Sequence, residues 1–152
     1  MNIKEKTETF KLEDKGTITE EKPLHIALDL SWWIASDVVI YDVREVSPFV
    51  SYYIVASVNN LTRLESLKSY AEDSLYDNYC DIDHIEGKRD SDWILIDAKD
   101  IVLQLFTTES RNKVKFDELY KDVPHQIIVA KEEPKYERRE KAASQINDYE
   151  EN

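Results

Sequence analysis

The sequence has few of the residues that several large classes of binding site require. Its two glycines, Gly16 and Gly87, are isolated among 152 residues. A phosphate-binding loop needs clustered glycines, because only backbone without side chains wraps closely around a phosphate group. The scarcity of glycine therefore excludes the usual nucleoside-triphosphate loop and the dinucleotide-binding fingerprint.

Cysteine and long apolar runs are also scarce. Cys80 is the single cysteine, so it has no partner for an internal disulfide, and we interpret it as a packing residue. The N-terminus is charged and lacks the apolar segment of a signal peptide. No apolar run approaches the roughly 18 residues that a membrane-spanning helix needs. These features predict a cytoplasmic protein without a membrane partner.

Basic residues are too few for a protein that binds phosphate backbones directly. The chain has 20 Lys and Arg against 32 Asp and Glu, a net charge of -12, and most of the acidic excess lies within residues 24–130. A nucleic-acid-binding surface requires the opposite balance. We therefore predict little direct nucleic-acid binding and favour a basic protein surface as the partner, although the charge could serve solubility alone.

Composition divides the chain into three parts. Residues 1–22 alternate charged residues and threonine with few apolar side chains, which predicts a flexible N-terminal arm. Residues 23–122 have the hydrophobic periodicity of one folded domain. Residues 123–152 are predicted to be a C-terminal extension that has a short strand at 126–130 and is mostly disordered from Lys131 onward.

Apolar residues within the domain predict alternating helices and strands. Pro23 suits the first turn of a helix, and a second helix has Asn59, Asn60 or Thr62 as its candidate cap. The predicted strands cover residues 38–43, 52–56, 82–85, 93–96 and 101–106, and the last two form a hairpin. The predicted inward residues are Leu24, Ala27, Leu28 and Trp32 of the first helix, Leu64, Leu67, Ala71 and Leu75 of the second, and Phe116, Leu119 and Tyr120 of a short final helix.

Candidate catalytic and metal-binding residues are sparse. Asp81 and Asp83 lie on the same side of a predicted strand, as in a metal-dependent nucleotidyltransferase, but no Gly-Ser helix start accompanies them. We favour a solvated strand edge for this pair. His84 is interpreted as a surface histidine rather than a weak metal ligand. We therefore predict no catalytic residue, no metal site and no cofactor.

Several segments follow one another in the order and spacing of a known family. They are DVVIYDVREVS at 37–47, YYIVAS at 52–57, EG at 86–87, DWILID at 92–97, DIVLQLF at 100–106, ESR at 109–111 and FDELY at 116–120. Over about residues 26–121 this series resembles the ribosomal silencing factors, the Iojap family. The chain departs from the family pattern at Ser51, at the turn 58–62, at Gln104, at Val114 and at Tyr120, so it resembles a divergent member.

The resemblance implies an α/β fold with a mixed β-sheet flanked by helices, similar to nucleotidyltransferases but without their catalytic site. It also implies binding to ribosomal protein fourteen of the large ribosomal subunit. A protein held there prevents the small subunit from joining and represses translation without being an enzyme. Organellar relatives assist large-subunit assembly, which remains an alternative. A weak homodimer away from the ribosome is a further expectation.

On this resemblance, the hairpin and the turn after it form the contact surface. Trp93 is the predicted aromatic anchor, with a core tryptophan as the alternative. Ala98 occupies a family contact position that usually carries a larger aliphatic residue, and Phe106 adds packing. Glu109 and Arg111 are predicted charged contacts at the rim, with a surface ion pair as the alternative. Short polar side chains at strand ends are predicted to satisfy turn backbone instead; these are Asp42, Ser47 and Asp97.

Overall fold

The structure is a computed structural model that describes residues 12–87 and 90–141. Residues 1–11 of the predicted N-terminal arm and residues 142–152 of the predicted tail lie outside the described part of the chain. The helices are α1 (Glu21–Trp33), α2 (Leu61–Asp77), α3 (Thr108–Val114) and α4 (Phe116–Leu119). The strands are β1 (Ser36–Asp42), β2 (Tyr52–Val58), β3 (His84–Glu86), β4 (Trp93–Ala98), β5 (Ile101–Thr107) and β6 (His125–Ile128).

The six strands form one mixed sheet in the order β3-β4-β5-β2-β1-β6. Strands β2 and β5 are parallel, with Tyr52 opposite Ile101, and the other neighbouring strands are antiparallel. The chain leaves β2 through the long helix α2 and returns through β3 and β4 before β5 joins β2. A parallel pair needs such a crossover, and the predicted α/β class with a mixed sheet is confirmed.

One face of the sheet is covered by α1 and α2. The predicted stripe of α2 is confirmed, since Leu64, Leu67, Ala71 and Leu75 are all fully buried. The predicted inward face of α1 is wrong for Trp32, which is 45% exposed. The buried stripe of α1 is centred on Ile26 and Leu30, which lie four residues apart and therefore share a face.

The start of α2 resolves the choice between its candidate caps. Asn60 precedes the helix in an extended conformation, and its side-chain oxygen accepts a hydrogen bond from the Arg63 N–H at 2.8 Å. This bond satisfies one of the free N–H groups of the first turn. The helix therefore begins one residue before Thr62.

The other face of the sheet has a smaller core beneath α3 and α4. Its buried residues are Val39, Tyr41, Val43, Val55, Phe106 and Phe116. Lys115 has a φ of +54° and divides the predicted final helix into two short ones. Phe116 is inward as predicted, and Tyr120 stacks on it with ring centroids 4.9 Å apart. Leu119 is 74% exposed, so its predicted inward position is wrong.

The described parts of both terminal regions pack against the domain. The Lys15 N–H donates to the carbonyl of His125, the Ile127 N–H donates to Asp14, and Ile18 is buried. These contacts cover the edge strand β6. Residues 131–141, hereafter the C-terminal strap, have neither helix nor strand but lie across α1 and α2 in place of the expected disordered tail. No helix in the described part of the chain is long and apolar enough to cross a bilayer.

Candidate binding surface on the β4–β5 hairpin

Strands β4 and β5 form the predicted hairpin. Trp93 lies opposite Phe106 and Ala98 lies opposite Ile101, so that two residues, Lys99 and Asp100, make the turn. Lys99 has a φ of +71°, and its N–H donates to the Asp97 carboxylate at 2.8 Å. The predicted structural role of Asp97 is therefore confirmed.

The other two predicted turn residues also bond to local backbone. The Asp42 carboxylate accepts from the Arg44 N–H at 3.1 Å, and this carboxylate pairs with the Arg44 side chain at 2.7 Å. Hydrogen bonding by Arg44 lowers the pKa of Asp42. The Ser47 hydroxyl accepts from the Val50 N–H at 3.1 Å. These side chains fix the ends of β1 and of the loop before β2.

Successive residues of β4 face opposite sides of the sheet. Ile94, Ile96 and Ala98 are buried in the core beneath α1 and α2. Trp93, Leu95 and Asp97 alternate with them and remain exposed or half-buried on the other face. Trp93 is 40% exposed. The sheet therefore presents a large aromatic side chain near its β3 edge.

Trp93 is held in place by residues of β5. Its indole N–H donates to Gln104 Oε1 at 2.8 Å, and its ring stacks on Phe106 with centroids 5.0 Å apart. Gln104 is buried and departs from the family pattern. Its hydrogen bond positions the Trp93 ring. One side of the Trp93 ring is packed, and 40% of the residue is exposed within the described part of the chain. A side chain held in this way loses less conformational entropy when a partner immobilises it.

Gly87 allows the chain to approach this tryptophan closely. Its φ is +115°, and a Cβ atom at this position would lie 2.9 Å from the Trp93 carbonyl oxygen. Both the backbone conformation and the close contact require glycine. Glu86, Gly87, Trp93 and Leu95 line a shallow hollow of about 220 Å³ beside the exposed ring.

Two predicted contact residues of the hairpin are buried. Phe106 is fully buried and belongs to the core under α3 and α4. Ala98 is buried in the core on the opposite face. Both therefore expose little surface to a partner, with 7% of Ala98 and none of Phe106 accessible. Phe106 instead supports Trp93 from beneath.

Arg111 is also an interior residue, not the predicted rim contact. Its side chain is 2% exposed, and its Nε and Nη2 donate to the two Asp117 oxygens at 2.8 and 2.9 Å. Its Nη1 donates to the Asp37 carbonyl at 2.6 Å and to the Ser57 hydroxyl at 3.2 Å. The guanidinium thus joins α3 and α4 to β1 and β2.

Tyr41 completes this buried network by donating its hydroxyl to Asp117. Burial, followed by the nearby Asp117 charge, raises the pKa of Tyr41. Burial also raises the pKa of Asp37, against the opposing effect of Arg111. The sequence predicted a single final helix, in which residues six apart are not neighbours on one face, so the Arg111–Asp117 pair was missed.

Glu109 remains a candidate for contact with a partner. It is exposed in the first turn of α3, where Thr107 caps the helix by accepting from the Ser110 N–H at 3.2 Å. An acidic side chain is favourable at this end of a helix. Among the five predicted contact residues, Trp93 and Glu109 are therefore the exposed ones.

Asp81 and Asp83 have different ion-pair partners. Asp81 pairs with Arg139 at 3.1 Å, whereas Asp83 approaches His84 at 3.4 Å. The ligand atoms of Asp83, His84 and Asp97 lie within 4.8 Å of one another on the exposed β3 edge. His84 also contacts Glu86 at 2.9 Å, and hydrogen bonds with Glu86 and then Asp83 raise its pKa. These contacts suit a surface ion-pair cluster.

Comparison with known proteins identifies the family. The profile of the family described as "Ribosomal silencing factor during starvation", RsfS, matches residues 20–152. The chain belongs to the RsfS family. The match to RsfS extends past the 26–121 segment of the sequence resemblance and includes the C-terminal strap.

Curated RsfS relatives are distant in sequence. The ribosomal silencing factor RsfS of Bacillus subtilis is 22% identical over 90 residues, which are 59% of this chain and 76% of the relative. That of Halalkalibacterium halodurans is 21% identical over 90 residues, which are 59% of this chain and 77% of the relative. This divergence agrees with the departures at turn 58–62 and Gln104.

Solved structures share the fold. A Chromobacterium violaceum protein superimposes with a TM-score of 0.63 at 19% identity, covering 78% of this chain and 98% of that chain. A Bacillus halodurans protein gives a TM-score of 0.56 at 18% identity, covering 70% of this chain and 94% of that chain. At these identities the likeness supports the fold alone.

Proposed function

We propose that this RsfS family member binds the large ribosomal subunit through ribosomal protein fourteen and prevents the small subunit from joining. Family membership supports a ribosomal silencing factor. The main support for placing the binding surface on the hairpin is Trp93, whose exposed aromatic ring is held by Gln104 and Phe106. Trp93 is the anchor, and Glu109 is a peripheral charged contact.

The chemistry of this surface suits a protein partner. Tryptophan is enriched among interface residues that carry most of the binding free energy, especially where the ring enters a pocket of the partner. The chain's net charge of -12 favours association with a basic surface and disfavours direct contact with phosphate backbones. A basic ribosomal protein fits both requirements better than bare ribosomal RNA does.

Silencing by this route requires no covalent chemistry. A rigid domain at the subunit interface occupies volume that the other subunit needs, so joining must await its dissociation. The inhibitory strength then depends on affinity and position, and an interface of about 1,600 Å² in total is enough for stable binding. The protein therefore acts as a reversible steric block and not as an enzyme.

A subunit-joining experiment tests this function. Purified large subunits are incubated with the protein before small subunits are added, and assembled ribosomes are measured by sucrose-gradient sedimentation. We expect assembled ribosomes to decrease with protein concentration and the protein to sediment with large subunits. Unchanged joining at a saturating protein concentration would contradict the proposal.

The order of addition separates a steric block from general ribosome damage. Protein added after joining should act slowly, because the occupied interface must open before it can bind. Small subunits incubated with the protein and then freed from it should join normally. Equal inhibition in every order would contradict a block that acts on the free large subunit.

A further inference from the structure

The helical face of the sheet buries a carboxylate on α1. The Asp29 side chain is 1% exposed and faces α2, where the Ser74 hydroxyl donates to its Oδ2 at 2.6 Å. A buried carboxylate is costly unless charge and hydrogen bonds compensate it. Ser74 offers a neutral hydrogen bond, so a cation must come from elsewhere.

The C-terminal strap supplies that cation. Arg138 donates to Asp29 through Nη1 at 3.0 Å and through Nη2 at 2.8 Å, and its Nη1 is also 2.8 Å from Asp77. The Tyr136 hydroxyl donates to the same Asp29 oxygen that Ser74 contacts. Two strap side chains therefore complete the environment of one helical carboxylate.

Tyr136 occupies a shaped position between the helices. Its ring stacks on His25 with centroids 4.0 Å apart and planes 8° apart, and Asn78 Nδ2 donates to its hydroxyl at 2.9 Å. The Arg138 guanidinium lies 4.1 Å from the centroid of the Tyr136 ring. The site thus contacts the ring and hydroxyl of Tyr136 and the guanidinium of Arg138, two residues later in the chain.

Side chains provide most of the contacts that hold the strap. The Arg139 N–H donates to the Asp77 carbonyl at 2.8 Å, and the Arg139 guanidinium lies 4.2 Å from the Tyr76 ring centroid. The strap itself has neither helix nor strand. Recognition of an irregular segment through a few side chains is how short linear peptides bind to folded domains.

We propose that Asp29, Ser74, Asn78 and His25 form a binding site for Tyr-x-Arg segments, and that the strap is its tethered resident ligand. Its place on the helical face separates it from Trp93 on the opposite face. Tethering gives the resident segment an effective concentration on the order of millimolar, so a free segment competes poorly until the strap is weakened.

The wild-type chain provides the first test. The full protein, labelled with ¹⁵N, is mixed with an unlabelled peptide of residues 131–141, and hydrogen exchange of the Arg139 amide is followed by NMR. We expect millimolar peptide to reduce protection of this amide, because displacement of the strap breaks its bond to Asp77. A peptide carrying Arg138→Ala should have no effect. Unchanged protection with the wild-type peptide would overturn the proposal.

A weakened strap provides the second test. The full chain with Arg138→Ala should bind a fluorescent peptide of residues 131–141 roughly fivefold more tightly than the wild-type chain, since its own strap lacks the charge-assisted hydrogen bonds of Arg138 to Asp29 and Asp77. Circular dichroism checks that the variant is folded. If it is not, Tyr136→Phe replaces it, because this change keeps the arginine and the ring. Equal affinity of the folded variant and the wild type would overturn the site.

Discussion

Each face of the sheet buries a charged side chain, but the two faces obtain the opposite charge from different parts of the chain. On the face covered by α3 and α4, Arg111 of α3 pairs with Asp117 of α4, six residues later. Under the C-terminal strap, Asp29 pairs with Arg138, 109 residues later. Both pairs make two donor–acceptor contacts, yet Arg111 is 2% exposed whereas the Arg138 side chain is 35% exposed.

This difference separates a permanent part of the fold from the strap, which we propose can detach. Arg111 also bonds to the Asp37 carbonyl and the Ser57 hydroxyl, so removing it disrupts the sheet and both short helices. Arg138 belongs to an irregular segment that can leave as a unit. Water can then solvate both Arg138 and Asp29, which lowers the cost of opening.

The largest expected effect comes from breaking the Arg111 pair. Arg111→Ala should lower the free energy of unfolding by about 3 kcal/mol, because it leaves Asp117 and two polar groups of the sheet without their partner. Urea unfolding followed by circular dichroism measures the change. Arg44→Ala removes an exposed ion pair and is the matched control, for which we expect a much smaller shift in midpoint. Equal shifts would refute the structural role of Arg111.

The two faces should also differ in binding. Trp93→Ala should weaken binding to large subunits by about 2 kcal/mol, because it removes the proposed anchor. Co-sedimentation with large subunits measures the loss of binding. Trp32→Ala is the matched control, since Trp32 is similarly exposed but lies on the helical face. The control should bind as the wild type does. If both variants are folded and bind equally well, Trp93 is not the anchor.

The close approach of Gly87 to Trp93 can be tested by substituting each of the two glycines. Gly87→Ala should cost about 1–2 kcal/mol of stability, because the new Cβ meets the Trp93 carbonyl at 2.9 Å in a left-handed conformation. Gly16→Ala shares the positive φ but meets its nearest atom, the Pro124 Cβ, at 3.4 Å. Thermal unfolding should therefore show the smaller loss for Gly16→Ala. The reverse order would contradict the close approach.

A smaller stability effect is expected where the strap is loosened. Arg138→Ala should lower the free energy of unfolding by only about 1 kcal/mol, since solvent already screens part of this ion pair. Hydrogen exchange should increase at the Arg139 amide and remain unchanged in β5. An increase throughout the sheet would mean that the strap is as integral to the fold as Arg111.

The smallest effect concerns the ion-pair cluster on the β3 edge. Hydrogen bonds with Glu86 and Asp83 raise the pKa of His84, so its small stabilising contribution is present at low pH and is lost as the pH rises through this raised pKa. NMR titration should place the His84 midpoint above that of an unstructured histidine. Glu86→Gln should lower it, and an unchanged midpoint would exclude Glu86 as the main cause.

Local signals in the sequence predicted much of the fold, whereas the candidate contact residues came from the family resemblance. Alternation and turn chemistry identified the hairpin and the role of Asp97, and helical spacing identified the buried stripe of α2. Trp93 is 40% exposed, and its role as an anchor stays a prediction. Predictions for Trp32 and Leu119 failed, because each sits at the margin of an apolar stripe where periodicity does not fix the buried direction.

The sequence by itself therefore determined the class of fold, the hairpin and the family resemblance, all of which depend on short-range pattern and residue order. Only the tertiary structure decided which charges are buried. Arg111 looked like a surface residue because its acceptors on β1 and β2 are more than 50 residues away. The strap was predicted to be disordered because Asp29, the carboxylate that holds it, lies 109 residues away on the first helix. Burial and charge pairing over such separations arise only once the chain has folded.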